Sequence, residues 1–135
     1  MMRILQPPGW ARPKGFSNGI AVKGGSTVYI AGQVGCGPDG RFAEQGFAGQ
    51  FRQALANILA VLAQAGGRPE HVVRLTWYVL DREEYRAALA GVGAAYRELM
   101  GRHFPVMAVL EVGGLVEPEA RLEIEATAVV PEEAA

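Results

Sequence analysis

The side chains in this sequence that can do chemistry are few and scattered. Cys36 is the only cysteine and stands in the run GCGPDG, residues 35–40. A nucleophilic thiol needs an activating base beside it. No cysteine–histidine pairing accompanies Cys36, so it reads as a loop thiol able to line a pocket. His71 and His103 are separated by a strand and a helix and make no metal-ligand pattern. Both read as solvent-exposed loop residues, and His103, just before Pro105, lies where a pocket rim could form. Gly24-Gly25 and Gly37-Pro38-Asp39-Gly40 are turn chemistry rather than phosphate loops, because no helix opening with GKS or GKT follows them. Trp77 reads as a sheet or interface anchor. Glu123 and Glu125 alternate with apolar residues near the end of the chain and share one strand face with Arg121 and Thr127.

The elements that must position these groups follow from periodicity. Residues 1–15, with Pro7, Pro8 and Pro13, read as an extended lead-in. Phe16 to Lys23 reads as a short strand. Gly24-Gly25 turns it into a hairpin with Ser26 to Val34. From Gln45 to Ala65 the period becomes helical, with Phe51, Leu55, Ile58 and Leu62 on one face. Gly66-Gly67 and Pro69 end that helix. Val72 to Leu80 is a strand of high β propensity. Asp81, with Glu84 three residues on, makes a capping-box pattern for a second helix reaching about Met100. Its stripe is Tyr85, Leu89, Val92 and Tyr96. Gly91 and Gly93 weaken it by up to about 1 kcal/mol each relative to alanine, and close packing is the plain reason for glycine there. Pro105 to Val112 and Arg121 to Val130 are the last two strands. The order is β-β-α-β-α-β-β, an α+β protein read as a single domain over residues 1–135.

Composition excludes some functions. The chain has 135 residues, 13 Lys+Arg against 14 Asp+Glu, and a formal charge of −1. No basic run is present, which argues against a binder that works through phosphate contacts. No apolar stretch is long enough to span a bilayer. Met1 to Gly15 shows no basic segment followed by an apolar core. A cytoplasmic location is the expectation, and a single cysteine suits a reducing compartment. In the last strand Leu122, Ile124, Ala126 and Ala128 should face the two helices. The opposite sheet face stays mixed, and Pro105 to Val112 is apolar on both sides. Two helices cover only one face, so the other calls for a partner, and a second copy of the chain is the simplest one.

The segments GFSNGI (15–20), VYIAGQVG (28–35), QFRQALANILAVLAQAGG (50–67), VVRLTWYVLD (72–81), FPVMAVLEV (104–112) and LEIEATAV (122–129) occur in the order and spacing of the RidA (YjgF) family. The resemblance runs from about Phe16 to Val130. It implies a chorismate-mutase-like fold, a mixed sheet with two helices on one face. It also implies a homotrimer with a barrel-like centre and three small-molecule clefts between subunits. Characterised members hydrolyse reactive imines and enamines to 2-keto acids and ammonia, without a metal or a cofactor of their own. The labels endoribonuclease and translation inhibitor are also attached to the family.

Carried over by residue, the resemblance sets the family's water-positioning glutamate at Glu123. There a carboxylate could accept and relay a proton. The family's aromatic before the first-strand serine falls at Phe16, which lacks a tyrosine hydroxyl. The small residue before Gly32-Gln33 is Ala31. A helix asparagine falls at Gly93. The arginine that grips the substrate carboxylate in a bidentate fork falls at Met107. The expected pocket therefore contains Glu123, Phe16, Ala31, Gly32, Gln33, Met107, Gly93 and Cys36, and is more apolar than in deaminating members. Arg121 or Arg74 could supply a cation, although each reads first as a salt-bridge residue. Three functions follow: an imine or enamine hydrolase, a trimer that binds a small metabolite without turnover, and, from family labels alone, an RNA-cleaving or translation-inhibiting protein.

Overall fold

The computed structural model describes residues 2–44 and 46–132. The strands are β1 (Met2–Leu5), β2 (Gly19–Val22), β3 (Ser26–Val34), β4 (Val72–Val79), β5 (Val106–Glu111) and β6 (Leu122–Val130). The helices are α1 (Phe47–Ala63), α2 (Arg82–Ala87) and α3 (Leu89–Met100), with a single 3₁₀ turn at Pro69–His71. A four-stranded mixed sheet runs in the order β3-β6-β4-β5. Strand β6 is antiparallel to both neighbours, and β4 and β5 are parallel. A parallel pair needs a long crossover, which α2 and α3 provide. This is the α+β architecture anticipated from the sequence.

The core lies between the sheet and α1 with α3. Phe51, Leu55, Ile58 and Leu62 of α1 are fully buried. They meet Leu75, Trp77 and Val79 of β4 and Leu122, Ile124 and Ala128 of β6, all buried. A register shift between Val72 and Arg74 brings Val72 inward as well. The alternation read along β6 holds, with Glu123, Glu125 and Thr127 on the face away from the helices. Gly66 ends α1 at φ 74°, and the Gly67 amide donates back to the Leu62 carbonyl at 3.1 Å. That positive φ suits glycine at a helix end.

Several local expectations change. The lead-in is not free-standing, since Met2–Leu5 pairs antiparallel with Gly19–Val22 as a separate two-stranded sheet. The anticipated β2–β3 hairpin pairing does not form, and β3 pairs with β6 instead. The physical cause sits at the turn. A Cβ on Gly25 would stand 2.6 Å from the Val130 carbonyl oxygen, so the turn is pressed against the end of β6 and delivers the chain there. The second helix is two helices that meet at Ala88. Its cap is half a capping box. Asp81 accepts from the amides of Glu83 and Glu84, but the Glu84 carboxylate pairs with Arg121 at 3.2 Å rather than returning to the cap. Gly91 is a close-packing glycine as read, since a Cβ there would lie 2.9 Å from Ala48 Cβ.

Candidate functional site

Two places in the molecule gather the residues singled out by sequence. The first is a cavity of about 560 Å³ on the helix side, between α3, β5 and the segment before β2. Phe16, Gly93 and Met107 line it together. Their meeting has a clear local cause. The Ser17 hydroxyl donates to the Phe104 carbonyl at 2.5 Å and the Ser17 amide donates to the Pro105 carbonyl at 3.1 Å. An isolated parallel bridge joins Ser17 to Val106. This clamp fixes Phe16 beside the start of β5, where Met107 points to the helix side in register with Leu75.

The cavity walls come mostly from residues that sequence reasoning assigned to packing. Trp77 is 3% exposed, stacks on Phe51 at 4.7 Å and meets the edge of Tyr85 at 5.8 Å. Tyr96 stacks on Phe104 at 5.5 Å and donates its hydroxyl to the His103 carbonyl at 2.5 Å. Burial pushes the Tyr96 hydroxyl well above the ordinary phenol range, so it stays a neutral donor. Lys14 and Arg97 are the cationic residues of the lining. Neither was found from the sequence. The available signal was position: Arg97 lies one helical turn after Gly93 and directly beside the last residue of the Tyr85–Tyr96 stripe.

The second place is the end of β3. Its register with β6 slips between Ile30 and Gln33, so Ala31 and Gly32 form a bulge. Bulges re-aim side chains and are frequent beside functional sites. Gly32 lies directly against Glu123. A Cβ at residue 32 would collide with the Glu123 carboxylate and stand 2.8 Å from its Cδ. Glu123 is half-buried, on the sheet face away from the helices. Gln33 folds back, its Nε2 donating to the Ala31 carbonyl at 3.1 Å. Cys36 follows in the loop, and its carbonyl accepts from Asn57 Nδ2 at 2.8 Å. Gln50, fully buried in α1, holds this end of the molecule. Its Nε2 donates to the carbonyls of Glu44 and Glu119, and its Oε1 accepts from the Arg121 amide at 2.8 Å.

The two places lie on opposite faces of the sheet. One chain therefore unites Phe16, Gly93 and Met107, and separately Glu123, Ala31, Gly32 and Gln33, but not the two groups with each other. Neither Arg74 nor Arg121 lines the helix-side cavity: Arg74 is on the opposite face near Glu125, and Arg121 is paired with Glu84. Glu125 takes a structural part, accepting from the Tyr78 hydroxyl at 2.6 Å. That bond pushes the Tyr78 hydroxyl above its ordinary pKa. The histidines are less free than their loop positions suggested. His103 Nε2 lies 2.6 Å from the Val72 carbonyl, and His71 Nδ1 accepts from the Arg68 amide at 2.9 Å. Among the described residues no cluster of three or more His, Cys, Asp or Glu is placed to hold a metal ion, and no helix is long and apolar enough to cross a membrane.

Residues 11–130 match the family described as Endoribonuclease L-PSP. A human protein named 2-iminobutanoate/2-iminopropanoate deaminase is 33% identical over 104 residues, 76% of this chain and 72% of that protein. A RutC family protein of Pyrococcus horikoshii is 33% identical over 109 residues, 80% of this chain and 82% of that one. Among solved structures, YyfB of the Rid family from Yersinia pestis, a protein of unknown function, superposes with a TM-score of 0.84 at 34% identity. That match covers 96% of this chain and 98% of the other.

Proposed function

We propose, since this chain belongs to the Endoribonuclease L-PSP family of RidA (YjgF) proteins, that it hydrolyses imines or enamines in a cleft formed between copies of itself. The observation that carries this reading is the Glu123 carboxylate, half-buried over the bulge at Gly32 and in no ion pair among the described residues. Such a group is suited to accept a proton from water. Water adds to the C=N carbon while Glu123 takes its proton, giving a carbinolamine. Glu123 returns that proton to nitrogen, then relays the hydroxyl proton to nitrogen as the C–N bond breaks, and the products are ammonia and a carbonyl compound. No cofactor or metal is required for this sequence of steps.

Glu123 and the cavity beside Met107 belong to different faces of one chain, so the reading requires a homotrimer whose neighbours bring the two faces together. The mixed outer face of the sheet, where Tyr29 is 81% exposed, suits such burial. Phe16, Ala31, Gly32, Gln33, Gly93, Met107 and Cys36 would then surround the substrate. Named relatives that are 2-iminobutanoate/2-iminopropanoate deaminases support the reaction class. A second reading, a trimer that holds a metabolite without turnover, is favoured by the aromatic walls of the cavity and by methionine at residue 107. Ammonia release from freshly generated 2-imino acids separates the two. Release well above the uncatalysed rate is expected, and its absence beside cleft binding would leave the binding protein. The first observation to make on assembly is the mass in solution, with a trimer expected.

A further inference from the structure

The helix-side cavity is lined by two cationic residues, Lys14 and Arg97, and Arg97 is the one set beside a glycine of the same lining. Four arginines, Arg52, Arg68, Arg86 and Arg121, pair with glutamates at 2.5, 3.5, 2.6 and 3.2 Å. Arg97 pairs with no described carboxylate, although Glu98 is its neighbour in sequence. Its guanidinium lies instead over α3 itself. Nη1 would stand 3.4 Å from a Cβ built on Gly93, one helical turn back, and both residues line the cavity. Glycine at 93 leaves open the space beside the guanidinium. The same cavity is walled by Trp77, whose indole N–H is buried without an acceptor.

We propose that Arg97 is the anion anchor of this cavity, and that its ligand is a carboxylate bearing a bulky apolar or aromatic group. A guanidinium grips a carboxylate through two parallel N–H bonds. The rest of the ligand meets Phe16, Trp77, Tyr96, Phe104 and Met107, which offer aromatic and apolar surfaces; Lys14 is the other charged residue of the lining. A volume of about 560 Å³ lies within the range of pockets that enclose whole organic ligands and exceeds what a two- or three-carbon acid fills. The inference rests on the proposed use of this cavity as the ligand site, and, if turnover occurs, it assigns as substrates the 2-imino acids with large apolar side chains. Arg97 is exposed, so its replacement leaves the core intact.

Trp77 supplies the reporter. In the full chain carrying Trp10→Phe, Trp77 is the remaining tryptophan, and its fluorescence is titrated with 3-phenylpropanoate, 3-phenylpropanamide and propanoate. The phenyl acid is expected to bind at least about ten-fold more tightly than either comparator, the scale of one charge-assisted pair. Arg97→Met should remove the preference for acid over amide, and Arg97→Lys should restore part of it. Equal binding of acid and amide, an unchanged preference in Arg97→Met, propanoate as tight as the phenyl acid, or no binding of any probe would each overturn the proposal. The failure of hydrolysis reads out separately. Absent ammonia release together with Arg97-dependent binding sinks the deaminase reading and keeps the anchor. Normal turnover of a phenyl-bearing 2-imino acid with KM unchanged in Arg97→Met sinks the anchor and keeps the deaminase.

Discussion

The helix-side cavity and the bulge at the end of β3 are built on opposite principles. The cavity is walled by core residues. Trp77 belongs at once to its lining and to the stack with Phe51, and Tyr96 ties the cavity to the loop at His103. The bulge is made of backbone, with Ala31 and Gly32 out of register and Glu123 folded over a residue that has no side chain. In the first, any change of shape disturbs packing. In the second, a carboxylate can be altered while the core stays as it was. Chemistry and stability are therefore separable at the bulge and coupled at the cavity.

The sharpest test of that contrast is Trp77→Ala. Loss of a buried aromatic should cost about 3–5 kcal/mol, read as a fall in the urea midpoint. A loss below about 1 kcal/mol would show that the cavity wall is not part of the core. Glu123→Gln is the counterpart at the bulge. On the proposed reaction it should lower kcat at least about a hundred-fold with the urea midpoint unmoved, and unchanged turnover would remove Glu123 from the mechanism. Gln50→Leu probes the support beneath the bulge. It strands two carbonyls and the Arg121 amide, for an expected loss of roughly 2–4 kcal/mol.

Gly32→Ala refines the comparison further. The new methyl meets the flexible end of Glu123 rather than backbone, so the carboxylate should move and the fold should not. About a ten-fold fall in kcat, with less than about 1 kcal/mol lost in stability, is expected. The smallest effect belongs to the exposed Arg52–Glu98 pair, which joins α1 to α3. Its hydrogen bond and charge hold the Glu98 carboxyl below the usual range. Its contribution is therefore present above the ordinary carboxylate pKa and is lost as pH falls through the lowered one. Thermal melts of Glu98→Gln should differ slightly from the parent at neutral pH and converge with it in acid.

How far each region could be read in advance follows from the range of the interactions that make it. The buried stripe of α1, the inward face of β6 and the cap at Asp81 depend on neighbours within a few residues, and periodicity displays them. The pairing of β2 with β1 instead of β3 depends on Gly25 lying against Val130, more than a hundred positions away, and no local pattern records it. Ala31 and Gly32 were singled out only through family likeness, and the bulge they form was not anticipated, since small residues in a strand carry no signal of register. The cavity was half legible. Phe16, Gly93 and Met107 were named, while Arg97 went unnoticed because an arginine at the end of a helix has an ordinary explanation as a surface charge.

The position of β6 also governs when the molecule can come into being. It is the last of the described strands and an inner strand of the sheet, bridging β3 and β4, which are not paired with each other. A growing polypeptide that has already made α1, α3 and most of the core residues still lacks the strand that joins its two halves. The Gln50 side chain must likewise wait for partners 69 and 71 positions downstream. Folding so dependent on distant contacts proceeds slowly for its size, and it acquires cooperativity only once β6 is in place between β3 and β4. Strand β6 is thus a checkpoint: until Leu122, Ile124, Ala126 and Ala128 are in place, the apolar faces of the helices stay open to other partners.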